Sequence, residues 1–384
     1  MMMMKLRCFS SCLLPVAIVI NIIASLDVSF VESFTSSSLS LKRIISPRIE
    51  TECFHLHERP TAAVTASKPH REEIRYIAGR RALLLHPNKS TNPPEVEHPP
   101  LIILGGMAQS IASWEFHLPH FAKGRSVLIY ECLGQGPLPP EEADLDTYYK
   151  DVSLERQGSD FWSVVDEAFE INDGKVDVVG FSFGGRVAMA AAVSQPNRIR
   201  RLHLTGVAAE RDEYANTLLA SWKEMLGANG IDTIDEKEEK EKVGANNPSL
   251  RAFAWSIILA TYTEPFLASM GAAKIKSWVD GVCKFNTQSG LNAILLQTHG
   301  GEGLWTPASM AEQMKESVES CKLVVGSNDK MASPDQVLRL AQLLGKEDGS
   351  KQDICFYKVI QNCGHAVPFE AMRLWREDVI KYLS

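Results

Sequence analysis

The chain has no apolar run long and unbroken enough to read as a transmembrane helix. Its N-terminal candidate, Cys12 to Ala24, is short and broken by Asn21, where a span needs roughly 20 apolar residues. Basic residues do not prevail: 40 Lys and Arg against 47 Asp and Glu give a net charge of −7 with no basic stripe, which argues against a nucleic-acid binder. No internal repeat is present, which excludes solenoids and propellers. The eight cysteines include no CxxC pair. Cys8, Cys12 and Cys53 lie near the N-terminus. Cys132, Cys283, Cys321, Cys355 and Cys363 remain, an odd number without paired spacing. They read as free thiols in a reducing compartment, which excludes a disulfide frame and a cysteine metal site. What is present is ordinary for a globular chain of 384 residues, 45% hydrophobic and 23% charged, long enough for one large domain.

Residues 1–70 read as a targeting presequence. Lys5 and Arg7 precede the apolar run, as in a signal peptide; a membrane anchor is the other reading of this run. From Phe34 to Ile49 the chain is Ser-rich and basic and has no acidic residue, the composition of a transit peptide. The combination resembles the bipartite presequence of algae with complex plastids, which implies a plastid destination; the secretory pathway is the alternative. The mature protein is expected to have no stable membrane span.

From Arg71 onward the pattern is that of an α/β protein. Ile74–Ile77 and Ala82–His86 flank Gly79 as a hairpin of edge strands. Leu101–Leu104, Val127–Tyr130, Val176–Val179, Ile199–Thr205, Lys322–Gly326 and Ile354–Ile360 read as buried strands. Helices are expected over Ser113–Ala122, Ser153–Phe169, Val187–Val193, Pro334–Leu344 and Phe369–Leu383. Such alternation predicts a mostly parallel central sheet flanked by helices on both faces. The rhythm breaks over residues 211–299, which carry helical patterns, many aromatics and no convincing strand. This segment, inserted after the sixth strand, is expected to be a helical lid at the carboxyl ends of the strands, where open α/β sheets bind ligands. Residues 71–210 and 300–384 form the core. The mixed-charge run Asp235–Lys242 reads as a solvated loop or helix end.

The candidate chemistry centres on Gly180-Phe181-Ser182-Phe183-Gly184. A Val-rich strand before this motif and an Ala-rich helix after it are the context of a nucleophile elbow, a sharp turn that exposes Ser182. A serine hydroxyl needs a base within hydrogen-bond reach, and the base needs an orienting acid. Of the ten histidines, His365 alone follows a strand directly in a glycine-containing loop. His203 falls within a strand and reads as a core residue. Asp329 lies in the loop after Val324–Gly326, while Asp335 reads as a first-turn charge on the following helix. Ser182, Asp329 and His365 are therefore the candidate triad. The oxyanion hole would take the N–H of Phe183, next after the nucleophile, and the N–H of Gly106 in the loop after Leu104.

Together these residues resemble the α/β-hydrolase superfamily from about Ile74 to the C-terminus. The resemblance rests on Leu104-Gly105-Gly106, on Glu131-x-x-Gly134-x-Gly136, on the elbow, and on the Asp329 and His365 loops in that order. The chain departs from the family at Leu104, where His is usual, and at Glu131, where Asp is frequent; both positions read as structural. The resemblance implies an α/β-hydrolase fold and attack by Ser182 on a small-molecule carboxylic ester or thioester through an acyl-enzyme. No metal or cofactor is implied. Gly-x-Ser-x-Gly-Gly-Arg is also similar to the menaquinone-pathway lyases, the 2-succinyl-6-hydroxy-2,4-cyclohexadiene-1-carboxylate synthases. That similarity implies a substrate carboxylate bound by Arg186, with Arg211 a lone candidate for the arginines that those enzymes carry at the start of the lid. For Arg186 both anion binding and a salt bridge to a nearby carboxylate are open. A non-enzymatic receptor of the same fold is the third reading.

Overall fold

In the computed structural model of the protein, the described residues are 70–87, 98–137, 148–171, 173–227, 247–298, 305–345 and 355–384. All of the expected presequence except His70 lies outside them, as does the charged run Asp235–Lys242. Eight strands form one sheet in the order β1-β2-β4-β3-β5-β6-β7-β8. β1 (His70–Ile77) and β2 (Arg80–Pro87) form the expected hairpin. Its two turn residues, Ala78 and Gly79, both have positive φ, which matches the twist of the flanking strands. Of these two strands, both expected at an edge, only β1 lies at one; β2 pairs antiparallel with β4 (Val127–Tyr130).

From β4 onward every pairing is parallel, through β3 (Leu101–Leu104), β5 (Val176–Phe181), β6 (Ile199–Thr205), β7 (Val318–Gly326) and β8 (Cys355–Ile360). β3, β4 and β5 are buried along their whole length, which is why they read as continuous apolar runs. The period of two divides their side chains between two cores. Ile102, Leu128 and Val178 join one, and Ile103, Ile129 and Val179 join the other.

On the first face lie α1 (Leu154–Phe169), capped by Ser153, and α2 (Phe183–Ser194). Trp162 of α1 donates its indole N–H to the carbonyl of Ala191 in α2 at 2.8 Å. The second core holds Trp114, Phe121, Trp375 and Val379. The helix expected over Ser113–Ala122 is instead two short turns, Ile111–Trp114 and Leu118–Phe121. Pro119 has no N–H to give to a preceding turn, so the first turn cannot run on into the second. The last expected helix likewise breaks at Ala371, into Val367–Glu370 and α10 (Met372–Leu383). β7 starts at Val318, earlier than its apolar pattern suggests.

Between β6 and β7 the described residues contain helices and no strand. They are α3 (Glu213–Gly227), α4 (Pro248–Thr261), α5 (Glu264–Met270), α6 (Ala272–Phe285), α7 (Gln288–Thr298) and α8 (Pro307–Met314). Trp222 and Phe253 are fully buried in this segment, and Tyr262, Phe266 and Trp278 stack on one another. α9 (Pro334–Leu344) then connects β7 to β8, with Asp335 in its first turn. Among the described residues no helix is long and apolar enough to cross a membrane.

Candidate active site

Ser182 sits between β5 and α2 with φ 52° and ψ −116°. A non-glycine residue in this region carries about 1–3 kcal/mol of strain. The neighbouring glycines serve a different purpose, since neither Gly180 nor Gly184 has a positive φ. They allow close approach: a Cβ on Gly180 would strike Gly185 across the turn, and one on Gly184 would strike the carbonyls of Leu104 and Gly105. The elbow helix is thus pressed against the end of β3. No side chain caps the start of α2, so Ser182 stands at the positive end of the helix dipole.

The structure brings the three candidate triad residues together. His365 Nε2 is 2.8 Å from Ser182 Oγ, and His365 Nδ1 is 2.8 Å from Asp329 Oδ2. His365 and Asp329 are both buried, and the imidazole rests on Gly206, where a Cβ would collide with the ring. The other carboxylate oxygen of Asp329 accepts the N–H groups of Met331 and Ala332 at 2.9 and 2.8 Å. Those two bonds fix which oxygen faces the histidine. Topology explains the convergence: β5, β6, β7 and β8 run parallel, so the loops leaving their carboxyl ends open on one side of the sheet.

The oxyanion loop differs from expectation in one respect. The Gly106 N–H is engaged, donating to Gln109 Oε1 at 2.7 Å. The same oxygen accepts the indole N–H of Trp114 at 3.1 Å, and the Gly106 carbonyl accepts from Gln135 Nε2 at 2.7 Å. Sequence reading missed Gln109, because a glutamine in a turn carries no motif. Phe183 is the first residue of α2 and is buried. Glu131 is structural: it accepts from Arg81 at 2.9 Å and from the N–H of Ile111 at 3.4 Å, tying β2 to the loop after β3. Leu104 is fully buried core.

Arg186 is in the first turn of α2, one turn on from Ser182, and is half-buried, with its Nε and Nη1 enclosed. Its Nε and Nη1 have no hydrogen-bond partner, and no carboxylate pairs with it among the described residues. The salt bridge left open by the sequence is therefore not formed. Burial, with the charge of Arg211 added to it, pushes the Arg186 pKa well below its ordinary value. Burial likewise lowers Arg211, to about 10. His203, read as core, is fully buried and contacts Asp378 at 3.4 Å. The five cysteines within the described residues are free thiols. No group of His, Cys, Asp and Glu among the described residues is arranged to hold a metal ion.

A parallel-sheet core with an elbow serine, a histidine and an aspartate on successive strand-end loops defines the α/β-hydrolase class of protein. The chain belongs to that family: its model, described as the alpha/beta hydrolase fold, matches residues 99–371. In sequence, the chain is 28% identical over 259 residues to 2-hydroxymuconate semialdehyde hydrolase of Pseudomonas sp. strain CF600, covering 64% of this chain and 85% of that one. It is 32% identical over 104 residues to a putative 2-succinyl-6-hydroxy-2,4-cyclohexadiene-1-carboxylate synthase of Bacillus subtilis strain 168, covering 27% of this chain and 35% of that protein. Among solved structures, the enol-lactonase of Burkholderia xenovorans LB400 superposes with a TM-score of 0.58 at 15% identity, over 81% of this chain and 99% of that one. MGS-M2, an α/β hydrolase from a deep-sea metagenome, gives 0.55 at 18% identity, over 81% and 96%. These two likenesses concern the fold.

Proposed function

We propose that the protein is a serine hydrolase acting on a small carboxylic ester or thioester. The observation that carries this reading is the chain of two 2.8 Å contacts from Ser182 through His365 to Asp329. His365 takes the Ser182 proton as the hydroxyl attacks the carbonyl, and later gives it to the leaving group. Asp329 holds the tautomer with the proton on Nδ1 and stabilises the imidazolium. The N–H groups of Phe183 and Gly106 receive the oxyanion, the second once Gln109 has swung away. Water then releases the acyl group. The helices over residues 211–299 form the lid and set the size and polarity of the acyl group. The reading requires no metal or cofactor.

Reaction of the full chain with a fluorophosphonate probe tests the proposal. Covalent labelling is expected on Ser182 and is expected to vanish in Ser182→Ala. Absence of labelling, or equal labelling of the variant, overturns it and leaves the receptor reading.

A second reading is favoured by the unpartnered Arg186 beside Arg211. In it the same three residues serve a lyase acting on a carboxylate substrate, as in the synthases that share the Gly-Gly-Arg elbow. Arg186→Ala abolishes activity under that reading, whereas under ester hydrolysis it only shifts preference away from acidic substrates. For the presequence, we propose delivery to a plastid on composition alone; the N-terminus of the native protein, read by mass spectrometry, decides between that and secretion.

A further inference from the structure

The residues on both sides of His365 are tied to the helical insertion. Ala366 donates its N–H to the carbonyl of Thr261, the last residue of α4, at 3.0 Å. Gly364 donates its N–H to Glu370 Oε2 at 3.2 Å. Glu370 also accepts from Thr263, the residue just before α5, through the backbone N–H to Oε1 at 2.7 Å and the hydroxyl to Oε2 at 3.0 Å. One carboxylate therefore bridges the corner between α4 and α5 and the loop that carries His365. The fit leaves little slack, because a Cβ on Gly364 would come within 3.0 Å of both the Thr261 carbonyl and Glu370 Oε1. On its other side the loop is held to the core, where the Asn328 N–H donates to the Cys363 carbonyl at 2.9 Å.

The proposed chemistry makes no use of Glu370. Bonds from N–H and O–H groups to a carboxylate are short and about twice as strong as neutral ones. A base must be held within about 0.5 Å of its productive position. We propose that Glu370 is the positioning residue for His365, and that the α4–α5 corner and the His365 loop move as one piece. Movement of the insertion at this corner then displaces the base as well. The proposal rests on the reading of His365 as the base of Ser182.

Glu370→Gln separates the two ends of the bridge. An amide has one acceptor oxygen, so it keeps the short bond to Thr263 N–H and turns its NH2 toward Gly364, which breaks the bond on the His365 side. Three quantities are read on the full-length wild type, Glu370→Gln and Thr263→Val: the fluorophosphonate labelling rate of Ser182, the midpoint of thermal unfolding, and the NMR signals of the His365 ring in protein with labelled histidine. Glu370→Gln is expected to slow labelling by roughly 10- to 100-fold, with a small change in midpoint and a shifted or broadened His365 signal. Thr263→Val, which removes only the hydroxyl bond, is expected to slow labelling about threefold. The proposal is overturned if Glu370→Gln labels at the wild-type rate with an unchanged His365 signal. It is equally overturned if the midpoint falls while the signal and the rate per folded molecule stay fixed, since Glu370 is then structural only. Failure of the hydrolase reading looks different: the wild type itself does not label, and the response of the His365 signal alone then decides whether Glu370 positions the ring.

Discussion

Gln109 lends its side-chain oxygen to the backbone N–H of Gly106 at 2.7 Å, in the loop expected to supply half of the oxyanion hole. A neutral amide oxygen thus holds the N–H group proposed as an oxyanion donor. A neutral hydrogen bond contributes about 1 kcal/mol net, so displacing it costs roughly fivefold in rate. Gln109→Ala is expected to raise the fluorophosphonate labelling rate of Ser182 by about that factor. It should also lower the unfolding free energy by ~1–2 kcal/mol, because the buried Trp114 indole N–H loses its acceptor. A slower labelling rate would mean that Gln109 shapes the loop and that Gly106 is not the donor.

Asp329 presents one oxygen to His365 and the other to two backbone N–H groups. In Asp329→Asn the amide oxygen is held by those N–H groups, so the NH2 faces His365 Nδ1 and forces the proton onto Nε2. That tautomer cannot accept the Ser182 proton. Labelling is expected to fall by about 10⁴-fold with the fold intact, following the magnitude seen when a triad aspartate is made neutral. Circular dichroism together with labelling kinetics checks both halves of the expectation.

The Nε and Nη1 of Arg186 are buried without a hydrogen-bond partner, so its charge costs stability. Arg186→Met keeps the shape and removes the charge. It is expected to raise the unfolding free energy by about 1–4 kcal/mol and the thermal midpoint by several degrees. Succinate and pyruvate are expected to stabilise the wild type in a thermal-shift assay and to leave the variant unmoved. A variant less stable than wild type, with unchanged anion response, would place Arg186 among structural residues.

His117 is packed among Trp114, Phe121, Phe369 and Trp375. Burial, aided by the nearby Arg376 charge and only partly offset by a backbone contact to Pro368, lowers its pKa to about 3. Between about pH 3 and the ordinary histidine value near 6.5, the unfolded chain binds a proton that the folded one does not. Stability from this group is therefore fully present above about 6.5 and is lost as pH falls toward 3, at up to about 1.4 kcal/mol per pH unit. His117→Phe is expected to flatten the thermal midpoint over that window. An unchanged acid limb would show that other groups govern it.

Much of the candidate site was legible in the sequence because each candidate triad residue carries a local signature. Ser182 lies between glycines at a strand–helix junction, and Asp329 and His365 follow apolar strands at the point where the chain must turn. Gln109 and Glu370 were not legible. Their importance lies in bonds to backbone groups, and any polar side chain in those places would look the same from the sequence. Glu370 and Thr263 are separated by 107 positions along the chain. The helix boundaries that were misplaced, at Ser113–Ala122 and Phe369–Leu383, lie where proline or tertiary packing outweighs helical periodicity.

The sequence by itself determined the strand–helix alternation, the mostly parallel sheet and the order of the candidate residues Ser182, Asp329 and His365. These follow from hydrophobic periodicity and from short-range turn chemistry, both of which act over a few residues. Only the tertiary structure decided that the His365 loop is tied to the α4–α5 corner, that Gly106 is engaged by Gln109, and that Arg186 has no counter-charge among the described residues. Each of these depends on which groups of distant segments meet and on how much water is removed when they do, and neither is written in any local stretch of chain.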